Sequence, residues 1–206
     1  MKYTICFIDD SYFEHDLVKN QVAPAAPDIE FIQAYTFDEA KAMLGTRTPS
    51  LFLLDLWGKD HDVTKPYLTP KEELQEKIAG FPTLDSVYEG LSEVQTDVSN
   101  EYLKRLFSIV SCWRSVFEEV CARIGQNNKY GLSNLGQARL YYPATPAVFY
   151  TRKSLINDAV AMFKARADGL FIKPTGIDEP DTRRLTRDYA PKLADELRQI
   201  IMAGRR

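Results

Sequence analysis

Four short apolar runs in this chain each end in a residue that carries chemistry. Phe7-Ile8 runs into Asp9-Asp10, Leu51-Phe52-Leu53-Leu54 into Asp55, Ala147-Val148-Phe149-Tyr150 into Thr151, and Leu170-Phe171-Ile172 into Lys173-Pro174. Runs of this length, β-branched and aromatic without polar alternation, suit strands buried on both faces of a parallel sheet. Parallel strands place their carboxyl ends on one edge, and in an open α/β sheet that edge is where ligands bind. Strand ends far apart in sequence therefore converge, and the expected fold class is α/β with a doubly wound parallel sheet.

Held together, Asp9, Asp10 and Asp55 repel one another. A hard cation such as Mg2+ relieves that repulsion, because it prefers carboxylate and water oxygens. The same cation would organise an incoming phosphoryl group. Asp55 is the expected nucleophile, Asp10 and the backbone carbonyl of Trp57 complete the protein's share of the metal ligands, and Asp9 orients metal-bound water. Phosphoryl transfer needs mainly positioning and neutralisation of the equatorial oxygens, which gives Thr151 Oγ and the Lys173 ammonium clear tasks.

These residues, in this order, resemble the receiver domain of two-component response regulators. The resemblance covers about residues 1–58 and 129–203. It pairs Asp9-Asp10 with the family's acidic pair after the first strand, Asp55 with its phosphoacceptor, Thr151 with its Ser/Thr and Lys173-Pro174 with its Lys-Pro step. What it implies is a five-stranded parallel sheet in the order 2-1-3-4-5 and phosphorylation of Asp55 by a histidine kinase or phosphotransfer protein, dependent on Mg2+. The protein would then be a signalling phosphoacceptor and not an enzyme with an external substrate.

The chain has 206 residues, long for one receiver and short for a receiver with a full output domain. A net charge of −3 argues against a general nucleic-acid surface. The three cysteines, Cys6, Cys112 and Cys121, show no Cys-x-x-Cys spacing and read as reduced thiols. No apolar run reaches the length of a membrane span, so a cytoplasmic location is expected. With no output domain after the last helix, the signal is expected to leave through contacts with a downstream protein.

The surplus length lies beside Asp55. The expected domains are a discontinuous receiver, 1–58 and 129–206, and a helical insertion, 59–128. In the insertion, Thr69-Pro70-Lys71-Glu72 opens a short helix through Ile78. From Leu84 to Ile124 apolar residues recur at steps of three and four, a seam of heptad character. One continuous helix would reach about 60 Å at 1.5 Å per residue, so a break near Gly90 or at residues 96–100, and hence a helical hairpin, is expected. Its role is open between a self-contained subdomain and a surface for a homodimer or another partner. In the last helix, about 181–203, Pro191 predicts a kink or a restart.

Three departures from the receiver pattern bear on function. Leu170 stands where the family has an aromatic switch, and the neighbouring Phe171 points to the other side of the strand. Arg152 follows Thr151 where a very small residue is usual, so it either restricts access or binds phosphate. Trp57 and Lys153 occupy positions that tune hydrolytic water. His61, in Asp60-His61-Asp62, reads as a solvated loop residue. Two other functions compete with the receiver: a pseudo-receiver acting by constitutive contacts, and a haloacid-dehalogenase-like phosphatase, whose nucleophile would have to lie on the first strand in an Asp-x-Asp arrangement that adjacent Asp9-Asp10 does not provide.

Overall fold

The computed structural model describes residues 2–59, 65–95, 97–152 and 156–204. The chain divides into two compact units, Met1–Lys59 with Asn127–Arg206, and Asp60–Gln126.

The larger unit is built on β1 (Tyr3–Ile8), β2 (Ile29–Ala34), β3 (Leu51–Leu54) and two strands that follow the insertion, labelled below in chain order. Between β1 and β2, α1 (Tyr12–Leu17) passes into a π-helical turn at Val18–Val22 and a 3-10 turn at Ala23–Ala25. The wider turn keeps both Val18 and Val22 buried on the sheet, and Pro24 closes the segment. α2 (Phe37–Leu44) is capped by Thr36, whose hydroxyl accepts the Glu39 N–H at 3.2 Å, while Glu39 accepts the Tyr35 N–H at 2.7 Å. A short strand β4 (Gly58–Lys59) follows β3 and is the counterpart of β5 (Gln126–Asn127), where the chain returns to the larger unit.

The smaller unit contains α3 (Lys71–Ala79) and α4 (Val98–Arg123). Among the described residues of 84–98, the expected first arm of a hairpin does not form. Those residues make two short 3-10 turns, Asp85–Val87 and Leu91–Glu93, because Gly90 adopts a left-handed conformation (φ 60°) that ends any helix there. α4 starts afresh at Asp97, which accepts the Asn100 N–H at 3.1 Å. The arm that lies along α4 is α3: Arg123 pairs with Glu73 and, at 2.6 Å, with Glu119, and Lys77 pairs with Glu119.

The larger unit resumes with α5 (Lys129–Tyr141), β6 (Ala147–Thr151), α6 (Ile156–Lys164), β7 (Gly169–Ile172) and α7 (Glu179–Ala203). The five long strands form one parallel sheet in the order β2-β1-β3-β6-β7, which is 2-1-3-4-5 when the two short strands are set aside. α7 runs unbroken through Pro191, so no restart occurs. One sheet face, carrying Ile5, Phe7, Leu53, Val148 and Tyr150, packs against the segment after β1 and against Leu193 and Leu197 of α7. Partly buried Phe171 joins that cluster, as alternation along β7 predicts for the residue beside Leu170. Among the described residues no helix is long and apolar enough to cross a membrane.

Candidate functional site

Register brings the acidic strand ends together. Ile8 pairs with Leu54, so the next residues, Asp9 and Asp55, stand side by side, and the Asp55 N–H donates to the Ile8 carbonyl at 2.9 Å. Side chains alternate along a strand. Asp9 and Asp55 therefore share the face of Phe7 and Leu53, Arg152 the face of Val148 and Tyr150, and Lys173 the face of Phe171. All four project toward α1 and α7, whereas Asp10 and Thr151 belong to the opposite parity.

Carboxylate oxygens of Asp9, Asp10 and Asp55 lie within 4.8 Å of one another. Lys173, 3% exposed, donates from Nζ to Asp9 Oδ2 at 2.5 Å and to Asp55 Oδ1 at 2.8 Å. The other Asp9 oxygen accepts the Ser11 N–H at 2.9 Å. Thr151 is buried at the end of β6, and its carbonyl accepts the Lys173 N–H at 3.0 Å. Trp57 is buried two residues beyond Asp55. His61 and Lys153 lie outside the described residues.

Burial, with the Asp55 charge adding to it, raises the Asp9 carboxyl to about 7 against the attraction of Lys173. Burial and the Asp55 charge also raise Asp10, although its carboxylate is bonded by the Lys59 backbone. Burial alone would depress Lys173, but Asp9, Asp55 and Glu14 overcome it and hold the ammonium above its usual range. Crowded carboxylates thus keep the lysine charged, while burial makes the Asp9 and Asp10 charges costly.

Two further residues shape the site. Glu14 of α1 is buried, with one oxygen 3.6 Å from Lys173 Nζ and the other accepting from Arg152 Nε at 2.7 Å. His15 is buried beside it, its Nε2–H donating to the Asp9 carbonyl at 2.8 Å and its Nδ1 paired with Gln33 at 2.9 Å. Arg152 also donates from Nη1 to the Pro174 carbonyl and to Thr175 Oγ1 at 2.9 Å. It is therefore tied to α1 and to the loop before α7. A signal for Glu14 existed in the sequence: it stands four and eight residues before Val18 and Val22, on the stripe that α1 and its extension turn to the sheet. On the other side, Tyr130 of α5 donates its hydroxyl to the Tyr35 carbonyl at 2.7 Å, and burial together with the charges of Asp9, Asp10 and Asp55 raises that hydroxyl above its usual value.

The donor set fits a hard divalent cation. Asp9, Asp10 and Asp55 are three carboxylates facing one ammonium, Lys173, which leaves an excess of two negative charges when all are ionised.

No protein-family model and no curated protein matches this chain. Among solved structures, the signal receiver domain of a putative Luxo repressor protein from Vibrio parahaemolyticus superposes with a TM-score of 0.50 at 12% identity, covering 100% of this chain and 94% of that one. A CheY-like response regulator receiver domain protein from Methanospirillum hungatei gives 0.49 at 15% identity, covering 99% and 100%. A response regulator from Thermotoga maritima gives 0.49 at 14%, covering 98% and 99%. With the sheet order and the helices on both faces, the first of these superpositions shows that the chain has the fold of a response-regulator receiver domain, carrying a helical insertion after its third strand.

Proposed function

We propose that this protein is a phosphoacceptor in a phosphorelay, taking a phosphoryl group onto Asp55 from a histidine kinase or phosphotransfer protein in the cytoplasm and passing its state on through protein contacts. The observation that carries this reading is Lys173 Nζ bridging Asp9 and Asp55 inside a pocket of three carboxylates at the strand ends. Asp55 supplies the attacking oxygen: its bond to phosphorus forms as the bond between phosphorus and the donor breaks, and the donor leaves with the bonding electrons. Lys173 and the Thr151 hydroxyl serve the equatorial oxygens that carry the developing charge. Asp10, Asp55 and the Trp57 carbonyl would hold Mg2+, with Asp9 acting on water at the metal. When bound, Mg2+ would neutralise charge shared between the carboxylates and the phosphoryl oxygens. The chemistry is self-modification, with no external substrate turned over. A pseudo-receiver with Arg152 filling the phosphate position is the weaker reading, since that guanidinium is engaged by Glu14, Pro174 and Thr175.

Intact-mass measurement after incubation with acetyl phosphate and Mg2+ tests the proposal. One phosphoryl adduct is expected on the native chain and none on Asp55→Asn or after chelation of the metal. A native chain that stays unmodified, with no Mg2+ binding, would turn the assignment to a constitutive interaction module.

A further inference from the structure

Lys173 has three acidic neighbours, and one of them belongs to neither the strand ends nor the metal cluster. Glu14 reaches it from α1 at 3.6 Å, and Glu14 is itself paired with Arg152 at 2.7 Å. An ammonium has a limited set of directions, so whatever Glu14 draws from it is lost to Asp55 and to any phosphoryl group carried there. Arg152 moderates this pull by neutralising Glu14 from the far side. It also keeps Nη2 buried with no hydrogen-bond partner among the described residues.

We propose that Glu14 and Arg152 form a positioning pair that sets how freely the Lys173 ammonium can follow a phosphoryl group: Glu14 holds it back and Arg152 weakens that hold. The proposal rests on Asp55 being the phosphoacceptor. It assigns opposite signs to the two members. Without the Glu14 charge, Lys173 is freed toward an anionic donor and the Arg152 charge is left uncompensated; without the Arg152 charge, Glu14 grips Lys173 harder and adds an uncompensated negative charge to the donor's path. A pair that only stiffened the fold would give both losses the same sign.

The test is the acetyl phosphate dependence of Asp55 phosphorylation, at saturating Mg2+, for the native chain, Glu14→Gln, Arg152→Gln and the double variant, with thermal stability measured alongside. Glu14→Gln should lower KM for acetyl phosphate by roughly three- to tenfold, the effect of removing one like charge near an anion's binding site. Arg152→Gln should raise it, and the double variant should return near the native value. Changes of the same sign that track thermal stability, or an unchanged KM in both single variants, overturn the pairing while leaving Asp55 as phosphoacceptor. A native chain that takes no phosphoryl group overturns the functional reading and this inference with it. For a variant that does not fold, the Arg152 Nε–H resonance of the native chain decides: it should move when Asp55 is phosphorylated and stay fixed under the same treatment in Asp55→Asn, and a resonance unmoved by phosphorylation rejects the pair.

Discussion

Gly131 shows how a single atom governs the site. A Cβ there would lie 2.4 Å from the Asp55 carbonyl oxygen and 2.5 Å from the Leu56 Cα, both backbone atoms that have no rotamer to yield, while its N–H donates to the Leu56 carbonyl at 3.0 Å. The first turn of α5 is therefore pressed against the loop that carries Asp55. In the sequence, Gly131 registers only as a cost in helix propensity; its reason is a close approach between segments some 75 residues apart. Gly131→Ala should destabilise the larger unit by about 1–3 kcal/mol in urea denaturation. It should also slow phosphorylation of Asp55 more than a substitution of equal cost on α7, because the strain falls on the Asp55 loop itself. Equal slowing in the two would mean that the loss of rate comes from stability alone. Arg152 belongs at the same scale. Its placement after Thr151 was legible as a departure from the receiver pattern, and strand alternation assigned its face, but its partner on α1 came only with the packing of α1 on the sheet.

At the scale of elements, α4 separates two uses of its apolar residues. Ile109 is 7% exposed and Trp113 is 52% exposed, although both lie on the heptad-like seam. Trp113 meets Phe81 edge to face with ring centroids 5.5 Å apart. Ile109→Ala should cost about 2–5 kcal/mol in the unfolding of the smaller unit, as for other cavities left in a core. Trp113→Ala should cost about 0.5–1.5 kcal/mol, the worth of one aromatic pair. Costs in the reverse order would show that Trp113 anchors the unit. The exposed side chain also separates a self-contained subdomain from a dimer surface: Trp113→Glu should lower the mass read by light scattering, without unfolding the unit, only if this face joins two copies. Apolar spacing correctly indicated a long helix ending near Ile124 and a break around Asp97. It overextended the helix before Gly90, because a seam of threes and fours is satisfied equally by consecutive 3-10 turns when a glycine adopts a positive φ.

Across the whole molecule, the insertion leaves and re-enters the larger unit through β4 and β5, which form one two-stranded sheet. Strands paired in a sheet lie about 5 Å apart, so a short Gly-Ser linker can replace residues 60–126 with little cost in loop closure. The shortened chain should unfold cooperatively in urea with a smaller m-value than the full chain, in keeping with the surface removed. A product without a cooperative transition would show that the sheet depends on the insertion for its core. The strands, the direction of the sheet and the acidic, hydroxyl and lysine strand ends were determined by the sequence alone, since each follows from a short apolar run and the residue that ends it. Only the tertiary structure decided how those ends are shared. Lys173 meets Asp9 across 164 positions and Arg152 meets Glu14 across 138, and such charges find one another through sheet order, register and the docking of α1 on the sheet, none of which a local pattern of residues encodes.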